Sequence, residues 1–299
     1  MRPIHVGIPV SYDYKYLPLC LSRIYDKADK ITLAIDKARK TWAGQKYEFD
    51  ESFLKEILDN DPLHKISLYE DTFSVVGLGT LDCELRERRM IREFMNSADE
   101  NAWHLQLDSD EYFVNFEAFV RYLHALDECY DGNITVNCQW VTILKLLNDG
   151  ILIAGDDDSL GFFPVASIGG CRWCSSSDAI VVNADFKVLH QSWGRDEKEI
   201  HYKISNWGHN HDFDVESYFQ FWKSVNRYNA PYIRDCHPLG RKCGWNWLEY
   251  REGTIPEILN EIQASEIAPV FKRGVIRRAK MEKLMSSIKK TLKNVIGKR

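Results

Sequence analysis

The stretch Trp103-His104-Leu105-Gln106-Leu107-Asp108-Ser109-Asp110-Glu111 is a short apolar segment that stops at three carboxylates. This pattern is typical of a buried strand that delivers acidic side chains to the open edge of an α/β sheet. Asp108 and Asp110 are two residues apart, so an extended backbone would point both carboxylates the same way. Paired carboxylates favour a hard divalent cation, and Mg²⁺ in such sites usually keeps water and phosphate oxygens as its other ligands. The stretch therefore predicts a metal-bridged phosphate and a nucleotide-activated substrate.

The alternation of strands and helices around this stretch predicts an α/β fold. Buried strands are expected at residues 4–10, 30–36 and 65–69, with helical spacing between them. Strands that alternate with helices form parallel sheets covered by helices. After a predicted helix at 115–129, short strands with Gly, Asp and Ser turns continue as far as His190. We therefore expect a mainly parallel central sheet flanked by helices, with antiparallel additions in the second half.

The composition is that of a globular enzyme. The 299 residues are 44% hydrophobic and 28% charged, and this length suits one large domain or one domain with an appendage. No apolar run approaches the roughly 18 residues of a membrane span. Because a strand is predicted to begin at residue 4, no export signal is expected and the interpretation is a cytoplasmic protein. The eight cysteines then fit reduced thiols better than a disulfide framework.

The charge is distributed unevenly along the chain. Residues 272–299 contain eleven Lys and Arg and one acid, a net +10, which leaves −15 for the rest of a chain whose formal charge is −5. Apolar residues recur here near helical spacing, and a basic amphipathic helix favours an anionic membrane surface. The alternative is a solvated helix or one docked on a partner subunit. Nucleic acid is not an expected partner, because the body is acidic and no aromatic residues interleave the basic run.

Two segments in the second half carry a family pattern. His190-Gln191-Ser192-Trp193-Gly194-Arg195 ends a predicted strand, and Lys203-Ile204-Ser205-Asn206-Trp207-Gly208-His209 lies on the next predicted helix. Together with a β-α-β-α-β half that ends in Asp108-Ser109-Asp110, they resemble the GT-A class of nucleotide-sugar glycosyltransferases, and most closely its family 2 group. The resemblance covers about residues 4–230 of this sequence.

The resemblance also implies a domain organisation. A GT-A (Rossmann-like) domain is expected over residues 1–255. Its nucleotide-binding half would span about 1–114 and its acceptor-binding half about 115–255. A C-terminal basic amphipathic helical tail would follow at 256–299.

In this family, an Asp-x-Asp motif holds Mn²⁺ or Mg²⁺ against the diphosphate of a nucleotide-sugar donor, here expected to be a UDP-sugar. The resemblance implies that Asp108 approaches the donor ribose or a metal-bound water and that Asp110 chelates the metal. A late histidine often completes the coordination, and His190 is expected because it ends a strand, with His209 and His211 as rivals. A neutral imidazole beside carboxylates suits Mn²⁺ better than Ca²⁺. The alternative for both acids is a solvated turn.

The donor is expected to lie at the ends of the first two strands. Pro9 and Val10 would lie under the base, and the resemblance places a contact to the nucleoside at Asp36, which otherwise serves as a turn or cap residue. One arginine of the helix before the Asp-x-Asp strand is expected to reach the diphosphate, since Arg suits bidentate phosphate contacts. The alternative is a solvated helix face paired with glutamates. The candidates are Arg86 and Arg89, with Arg88 between them.

An inverting transferase needs a general base near the acceptor hydroxyl, usually Asp or Glu. Asp178 and Glu197 are the predicted candidates. Asp178 follows a Gly/Ser/Cys loop that is expected to face the cleft. Asp196 and the acidic run 156–158 are further candidates, although such a run is more often a solvated turn. The sequence does not decide among them.

The same Gly/Ser/Cys loop contains Cys171-Arg172-Trp173-Cys174. A Cys-x-x-Cys pair without a second pair at finger-like spacing is a weak zinc signal, so zinc is not expected. The loop is instead expected to lie over the acceptor. Trp173, Trp193 and Trp207 are candidates for stacking on sugar rings, and packing in the core is the alternative for each.

The sequence thus favours a metal-dependent glycosyltransferase that moves a sugar to a hydroxyl of a glycan or lipid-linked glycan. Bacterial surface polysaccharide or lipopolysaccharide synthesis is the expected setting. A sugar nucleotidyltransferase is the alternative, but it needs a Gly-rich loop after the first strand, and residues 11–16 contain no glycine. A non-catalytic module that binds a glycan or docks on a membrane is a third hypothesis.

Overall fold

The computed structural model describes residues 1–156, 161–265 and 267–296, with side chains described through residue 290. The described strands form one sheet flanked by helices. The strands are β1 (Ile4–Val10), β2 (Lys30–Asp36), β3 (Ile66–Asp71), β4 (Trp103–Gln106), β5 (Glu111–Phe113), β6 (Ile134–Leu146), β7 (Gly150–Gly155), β8 (Phe162–Ile168), β9 (Ile180–His190) and β10 (Trp247–Glu252). The helices are α1 (Leu17–Ile24), α2 (Glu51–Asp59), α3 (Thr80–Ala98), α4 (Phe116–Asp127), α5 (Glu197–Asn206), α6 (Val215–Ser224), α7 (Ile255–Ser265) and α8 (Gly274–Ile296).

The first half of the chain forms the parallel part of the sheet. β1 lies between β2 and β4, β3 pairs with β2, and all three pairings are parallel. β1, β2 and β3 are each followed by a crossover that contains a helix, and such crossovers bring successive strands back parallel. This confirms the predicted α/β fold and places the carboxyl ends of β1, β2 and β4 along one edge.

The second half adds the antiparallel strands that were expected, but their number makes the sheet mixed and not mainly parallel. β8 joins β4 antiparallel, and β6, β7 and β10 continue the sheet with antiparallel pairings. Residues 147–149 join β6 to β7 in a hairpin, whereas β10 reaches the edge beside β7 after the long segment that contains α5 and α6. The parallel pairing of β6 with β9 is the exception among these strands. The sheet as a whole is therefore mixed.

Several elements differ from the expectation. The stretch that leads to His190, expected to consist of short strands with turns between them, ends in the single long strand β9 (Ile180–His190), whose burial alternates along its first half. The short strands β5 and β10 were not predicted. β5 is too short to show a period, and β10 (Trp-Leu-Glu-Tyr-Arg-Glu) lies at the sheet edge with a largely half-buried face.

The backbone at the Asp-x-Asp motif is a turn and not extended strand. β4 ends at Gln106, and the amide of Glu111 donates to the carbonyl of Asp108 at 3.0 Å. The side-chain Oε2 of Glu111 accepts from the Asp108 amide at 2.9 Å and closes the turn from its other side. The alternation expected for a strand therefore does not explain how the two aspartates are oriented.

Two clusters of apolar side chains hold the sheet to its helices. The larger cluster joins β1, β2 and β4 to α1, α4, α7 and the start of α8. The second cluster lies around Trp193 and Trp222 and joins α5 and α6 to β6, β7 and β10. Helix α3 packs closely on β1, where a Cβ at Gly7 would lie 2.4 Å from Ile91 Cγ2. Within the described residues, no helix is long and apolar enough to cross a membrane.

Candidate functional site

A cavity of about 650 Å³ opens at the carboxyl ends of β1, β2 and β4. This edge is where the open α/β sheet leaves room for a ligand, since the loops that follow parallel strands diverge there. Its wall contains many residues that were singled out in the sequence, among them the predicted metal ligands and three residues predicted to bind the nucleoside. These six are Pro9, Val10, Asp36, Asp108, Asp110 and His190.

Asp108, Asp110 and His190 form a compact group in this wall. Each offers one ligand atom, and these atoms lie within 4.8 Å of one another. The antiparallel pairing of β5 with β9 sets His190 opposite Glu111, directly beside the Asp-x-Asp turn. His190 Nε2 is 3.5 Å from Asp110 Oδ1. His209 lines the same cavity but binds Asp212 through Nδ1 at 2.7 Å, and His211 is exposed.

Three basic side chains hold the outer oxygens of the two aspartates. Arg88 Nη2 donates to Asp108 Oδ1 at 2.7 Å. Arg195 Nη2 and Lys203 Nζ both donate to Asp110 Oδ2, at 2.5 Å and 3.1 Å. Because these contacts fix one oxygen of each carboxylate, they orient Asp108 Oδ2 and Asp110 Oδ1 for a further ligand.

The same cations keep both aspartates ionised. Burial opposes ionisation of Asp108, yet the nearby Arg172 and Arg88 guanidinium groups hold its pKa at about 2. Burial likewise opposes ionisation of Asp110, and Lys203, His190 and Arg195 hold its pKa well below the usual range. Both side chains are therefore anionic at neutral pH, the form in which a carboxylate binds a metal ion.

A fourth cation, Arg172, stabilises the turn through Glu111. Its guanidinium makes two parallel hydrogen bonds to Glu111, each 2.7 Å long, and both side chains are at most 2% exposed. The indole of Trp140 also donates to Glu111, at 2.8 Å. Because Glu111 accepts from the Asp108 amide, this buried pair fixes the backbone on which the aspartates sit.

Part of this basic cluster has unused hydrogen-bonding capacity. Arg88 Nε and Nη1 and Arg172 Nε are buried and find no hydrogen-bond partner among the described residues. Both arginines line the cavity. An unpaired buried donor costs about 1–3 kcal/mol, so these guanidinium groups favour an anion that can accept their hydrogens.

At the far end of the cavity, Asp36 serves the backbone. Its Oδ1 accepts from the amides of Ala38 and Lys40 at 2.9 and 3.1 Å. Its Oδ2 accepts from the amides of Phe73 and Ser74 at 2.9 and 3.1 Å. The carboxylate thus ties the loops after β2 and β3 together. Its predicted contact with a nucleoside would have to share oxygens that four amides already use.

Next to Asp36, a buried acid lines the cavity beside an indole. Trp42 Nε1 donates to Glu87 Oε2, and Glu87 is 5% exposed. Burial raises the pKa of Glu87 to about 8, against the opposing effects of the Trp42 indole and the Arg88 charge. Glu87 is therefore mostly protonated at neutral pH.

The wall beside the aspartate cluster is aromatic. Trp140 stacks on Phe163 at 4.2 Å between ring centroids and lies 5.1 Å from the His190 ring. Trp173 also lines the cavity and is 46% exposed, so its face is open to a ligand. Trp207 is half-buried, whereas Trp193 is 4% exposed and belongs mainly to the second apolar cluster.

Two of the predicted phosphate-binding arginines lie elsewhere. Arg86 Nη1 donates to the carbonyl of Thr72 at 2.7 Å, and Arg89 is exposed on the outer side of α3. Residues two apart on a helix do not share a face. The arginine of α3 that faces the cavity is Arg88, which corrects the choice between the three candidates.

The two predicted catalytic acids also lie outside the cavity wall. Asp178 is held by the side chains of Asn133, at 2.8 Å, and Ser176, and these hydrogen bonds lower the pKa of Asp178 in an exposed position. Glu197 is exposed in the first turn of α5. Neither carboxylate is among the residues that line the cavity with the aspartate cluster.

Of the other acidic candidates, Asp156 lines the cavity. Its Oδ1 accepts from the backbone amide of Trp245. Asp196 instead caps α5, where its side chain accepts from the Glu199 amide at 2.9 Å. Residues 157 and 158 of the acidic run lie outside the described residues.

The Cys-x-x-Cys segment forms a tight turn in the cavity wall. Cys171 and Cys174 exchange backbone hydrogen bonds of 3.2 and 3.0 Å across Arg172 and Trp173, and both thiols are free. Burial, with the neighbouring Cys174, raises the pKa of Cys171 to about 12. That thiol is therefore protonated at neutral pH and unsuited to metal binding or nucleophilic attack.

Sequence reasoning missed the cationic half of the site. Arg172, Arg195 and Lys203 each lie in a segment that had been singled out, but no role was assigned to them. Their partners in the Asp-x-Asp turn are 61 to 93 residues away along the chain. The one available signal was charge, because a buried acidic turn requires compensating cations.

No protein-family model matches this chain, and no curated protein matches it either. The site combines an oriented pair of ionised aspartates, a histidine, unpaired arginine donors and an aromatic wall around one cavity.

Proposed function

We propose that this protein is a metal-dependent glycosyltransferase that uses a nucleoside diphosphate sugar, with UDP as the expected nucleotide. The observation that carries the proposal is the group of Asp108, Asp110 and His190, whose ligand atoms lie within 4.8 Å of one another in the cavity wall. Two carboxylates and an imidazole suit Mn²⁺ or Mg²⁺. The resemblance of the sequence to GT-A enzymes supports the same function.

The charges around the cluster favour binding of a divalent metal ion first and of a diphosphate after it. Five carboxylates and four cationic side chains form the ion pairs of this cluster, so its net charge is slightly negative. They are Asp13, Glu84, Asp108, Asp110 and Glu111, and Arg88, Arg172, Arg195 and Lys203. A divalent ion would make the group net positive and so favour a diphosphate. When bound, the metal neutralises the charge that develops on the leaving nucleoside diphosphate.

The side chains of the cavity have distinct parts in this proposal. The unpaired donors of Arg88 hold phosphate oxygens beside the cluster. The open face of Trp173 offers a surface for a sugar ring, since sugar C–H groups pack well on aromatic faces. Arg195 and Lys203 keep Asp110 ionised and oriented.

We assign the general base to Asp156 in place of Asp178 and Glu197. Asp156 lines the same cavity as the aspartate cluster and is oriented by the Trp245 amide. A base must come within hydrogen-bond reach of the acceptor hydroxyl, so a carboxylate in the cavity wall is better placed than an exposed one outside it.

The acceptor in this proposal is a hydroxyl of a glycan or lipid-linked glycan in surface polysaccharide or lipopolysaccharide synthesis, reached from the cytoplasm. Inversion at the anomeric carbon is the expected stereochemical outcome. These two points rest on the resemblance and on the basic tail. The identity of the nucleotide is open to the binding experiment below.

Isothermal titration with UDP, in the presence and absence of Mn²⁺, tests the proposal directly. The wild-type protein should bind UDP with Mn²⁺ and much more weakly with EDTA. Asp110→Asn should weaken metal-dependent binding at least about 10- to 100-fold, the loss that follows even when only an outer partner of a metal ligand is removed. Asp59→Asn, in an exposed position at the end of α2, is the matched control. Circular dichroism must show that both variants are folded.

Transfer from a UDP-sugar then separates the alternatives. Release of UDP that depends on metal and on Asp110 supports the transferase. Release of pyrophosphate from a nucleoside triphosphate would point to a nucleotidyltransferase, and absence of metal-dependent nucleotide binding would leave a non-catalytic module. Asp156→Asn should lower the transfer rate at least about 100-fold with UDP affinity unchanged, whereas Asp178→Asn should retain wild-type turnover.

A further inference from the structure

The C-terminal helix α8 is only partly packed on the protein. Ile276 and Ala279 near its start are 7% and 4% exposed and join the main apolar cluster beside β9. Lys283 is half-buried, and every residue from 284 to 290 is exposed. The helix therefore leaves the body after about three turns. A free-standing helical segment of this length is marginal in water, so a further contact is expected to stabilise it.

The outer side of the helix carries a stripe of large apolar side chains. Met281 is 57% exposed, Leu284 61%, Met285 54% and Ile288 45%. At about 100° per residue, these four fall within an arc of about 100°, roughly opposite the buried pair Ile276 and Ala279. A contiguous apolar stripe that faces away from the core is typical of a binding surface.

Basic residues border this stripe on both sides. By the same geometry, Lys280 lies at one edge and Arg278 and Lys289 at the other, and all three are exposed. An open groove of about 630 Å³ separates the helix from the end of α4. Its helix side combines cations with apolar groups: Arg273, Ile276, Arg277, Lys280, Met281 and Leu284.

We infer that the outer face of α8 docks the protein on the surface of an anionic lipid bilayer. The four apolar side chains enter the boundary between headgroups and acyl chains, and the bordering Lys and Arg side chains pair with anionic headgroups. This arrangement lets the helix lie in the plane of the surface. The inference goes beyond the proposed function, since it concerns a surface separate from the cavity and holds whether or not the protein transfers a sugar.

The charge pattern favours a lipid surface over the other occupants of an apolar stripe. In a dimer formed through this stripe, the Arg and Lys side chains of one copy would lie against those of the other. Residues 272–299 carry a net charge of +10 in each copy, so the two helices would repel each other. Nucleic acid would satisfy the cations but would leave the four apolar side chains in contact with water. An anionic bilayer supplies both the apolar layer and the negative charge.

Vesicle co-sedimentation of the full chain tests this inference. The wild-type protein should bind vesicles of equal parts phosphatidylcholine and phosphatidylglycerol. It should bind vesicles of pure phosphatidylcholine much more weakly. Arg277→Gln with Arg278→Gln should lower the partition coefficient roughly 30-fold, at about fivefold per charge. Lys30→Gln with Lys55→Gln removes two exposed charges from the body and should leave binding unchanged.

A second pair of variants tests the apolar stripe. Leu284→Gln with Ile288→Gln keeps helix propensity and should lower vesicle binding at least about tenfold, whereas Ser286→Gln on the same helix should not. Equal binding to both vesicle types, or unchanged binding of the apolar pair, would overturn the inference. So would sedimentation velocity without lipid that shows a dimer in the wild type and a monomer in the apolar pair. UDP binding is measured in parallel and should be unaffected, which separates this test from that of the proposed function.

Discussion

Replacement of Glu87 by glutamine is expected to change how the stability of the protein depends on pH. Glu87 is 5% exposed in the cavity wall and accepts a hydrogen bond from Trp42. Its pKa is raised by burial from an ordinary 4.5 to about 8. A glutamine has almost the same shape, keeps an oxygen that accepts from the indole, and does not titrate.

The size of the effect follows from linkage between protonation and folding. A carboxyl whose pKa is raised in the folded state binds more protons folded than unfolded between the two pKa values. Its favourable contribution is complete below pH 4.5 and is lost as the pH rises through about 8. At about 1.4 kcal/mol per pH unit, the wild type should lose about 4 kcal/mol relative to Glu87→Gln between pH 5 and pH 9.

Urea unfolding at pH 5, 7 and 9 measures this difference. At an m value of about 3 kcal/mol per molar urea, the two proteins should have similar midpoints at pH 5 and midpoints about 1 M apart at pH 9, with the variant more stable. Glu93→Gln, exposed on the same helix, should follow the wild type throughout. Parallel curves for wild type and Glu87→Gln would refute the reasoning, because they would mean that Glu87 titrates alike in both states.

Three further substitutions probe the support of the site and the fold. Arg172→Met should cost about 3–5 kcal/mol in urea unfolding, because it leaves Glu111 buried without its guanidinium partner; Arg121→Met, exposed on α4, should cost little. Gly7→Ala should cost about 1–3 kcal/mol, because its Cβ would lie 2.4 Å from Ile91. Asn115→Ala should cost about 1 kcal/mol, since it removes the cap that accepts from the Ala118 amide at 3.0 Å; Asn115→Asp should restore most of it. A wild-type midpoint for Arg172→Met, Gly7→Ala or Asn115→Ala would contradict the contact described for that residue.

At the Asp-x-Asp turn, the sequence predicted which residues lie together, but the physical reason given for their orientation was wrong. The acids were expected to align because extended residues alternate, but the backbone there is a turn. Asp108 and Asp110 are instead oriented by Arg88 and Arg195. The sequence predicted the position of the two aspartates after a central strand, but it did not predict the arginines that orient them.

The arginines of α3 show a different limit. A helical pattern places Arg86 and Arg89 near one side of α3 and Arg88 on another, and it does not say which side faces the sheet edge. That is decided by the packing of Ile91 and Met95 on the sheet, which directs Arg88 inward. Asp178 and Glu197 were misplaced for a similar reason, since a loop or a first helical turn can face either a cavity or solvent.

What the sequence by itself determined is the α/β class and the placement of Asp108, Asp110 and His190 at the ends of their strands, because burial and turn signals are local. The tertiary structure alone decided which cations meet these groups. Arg172, Arg195 and Lys203 reach the turn across 61 to 93 residues, and contacts of that range depend on how the whole sheet is ordered. Coulomb attraction depends on distance in space, so an ion pair between distant residues gives no periodic pattern in the sequence.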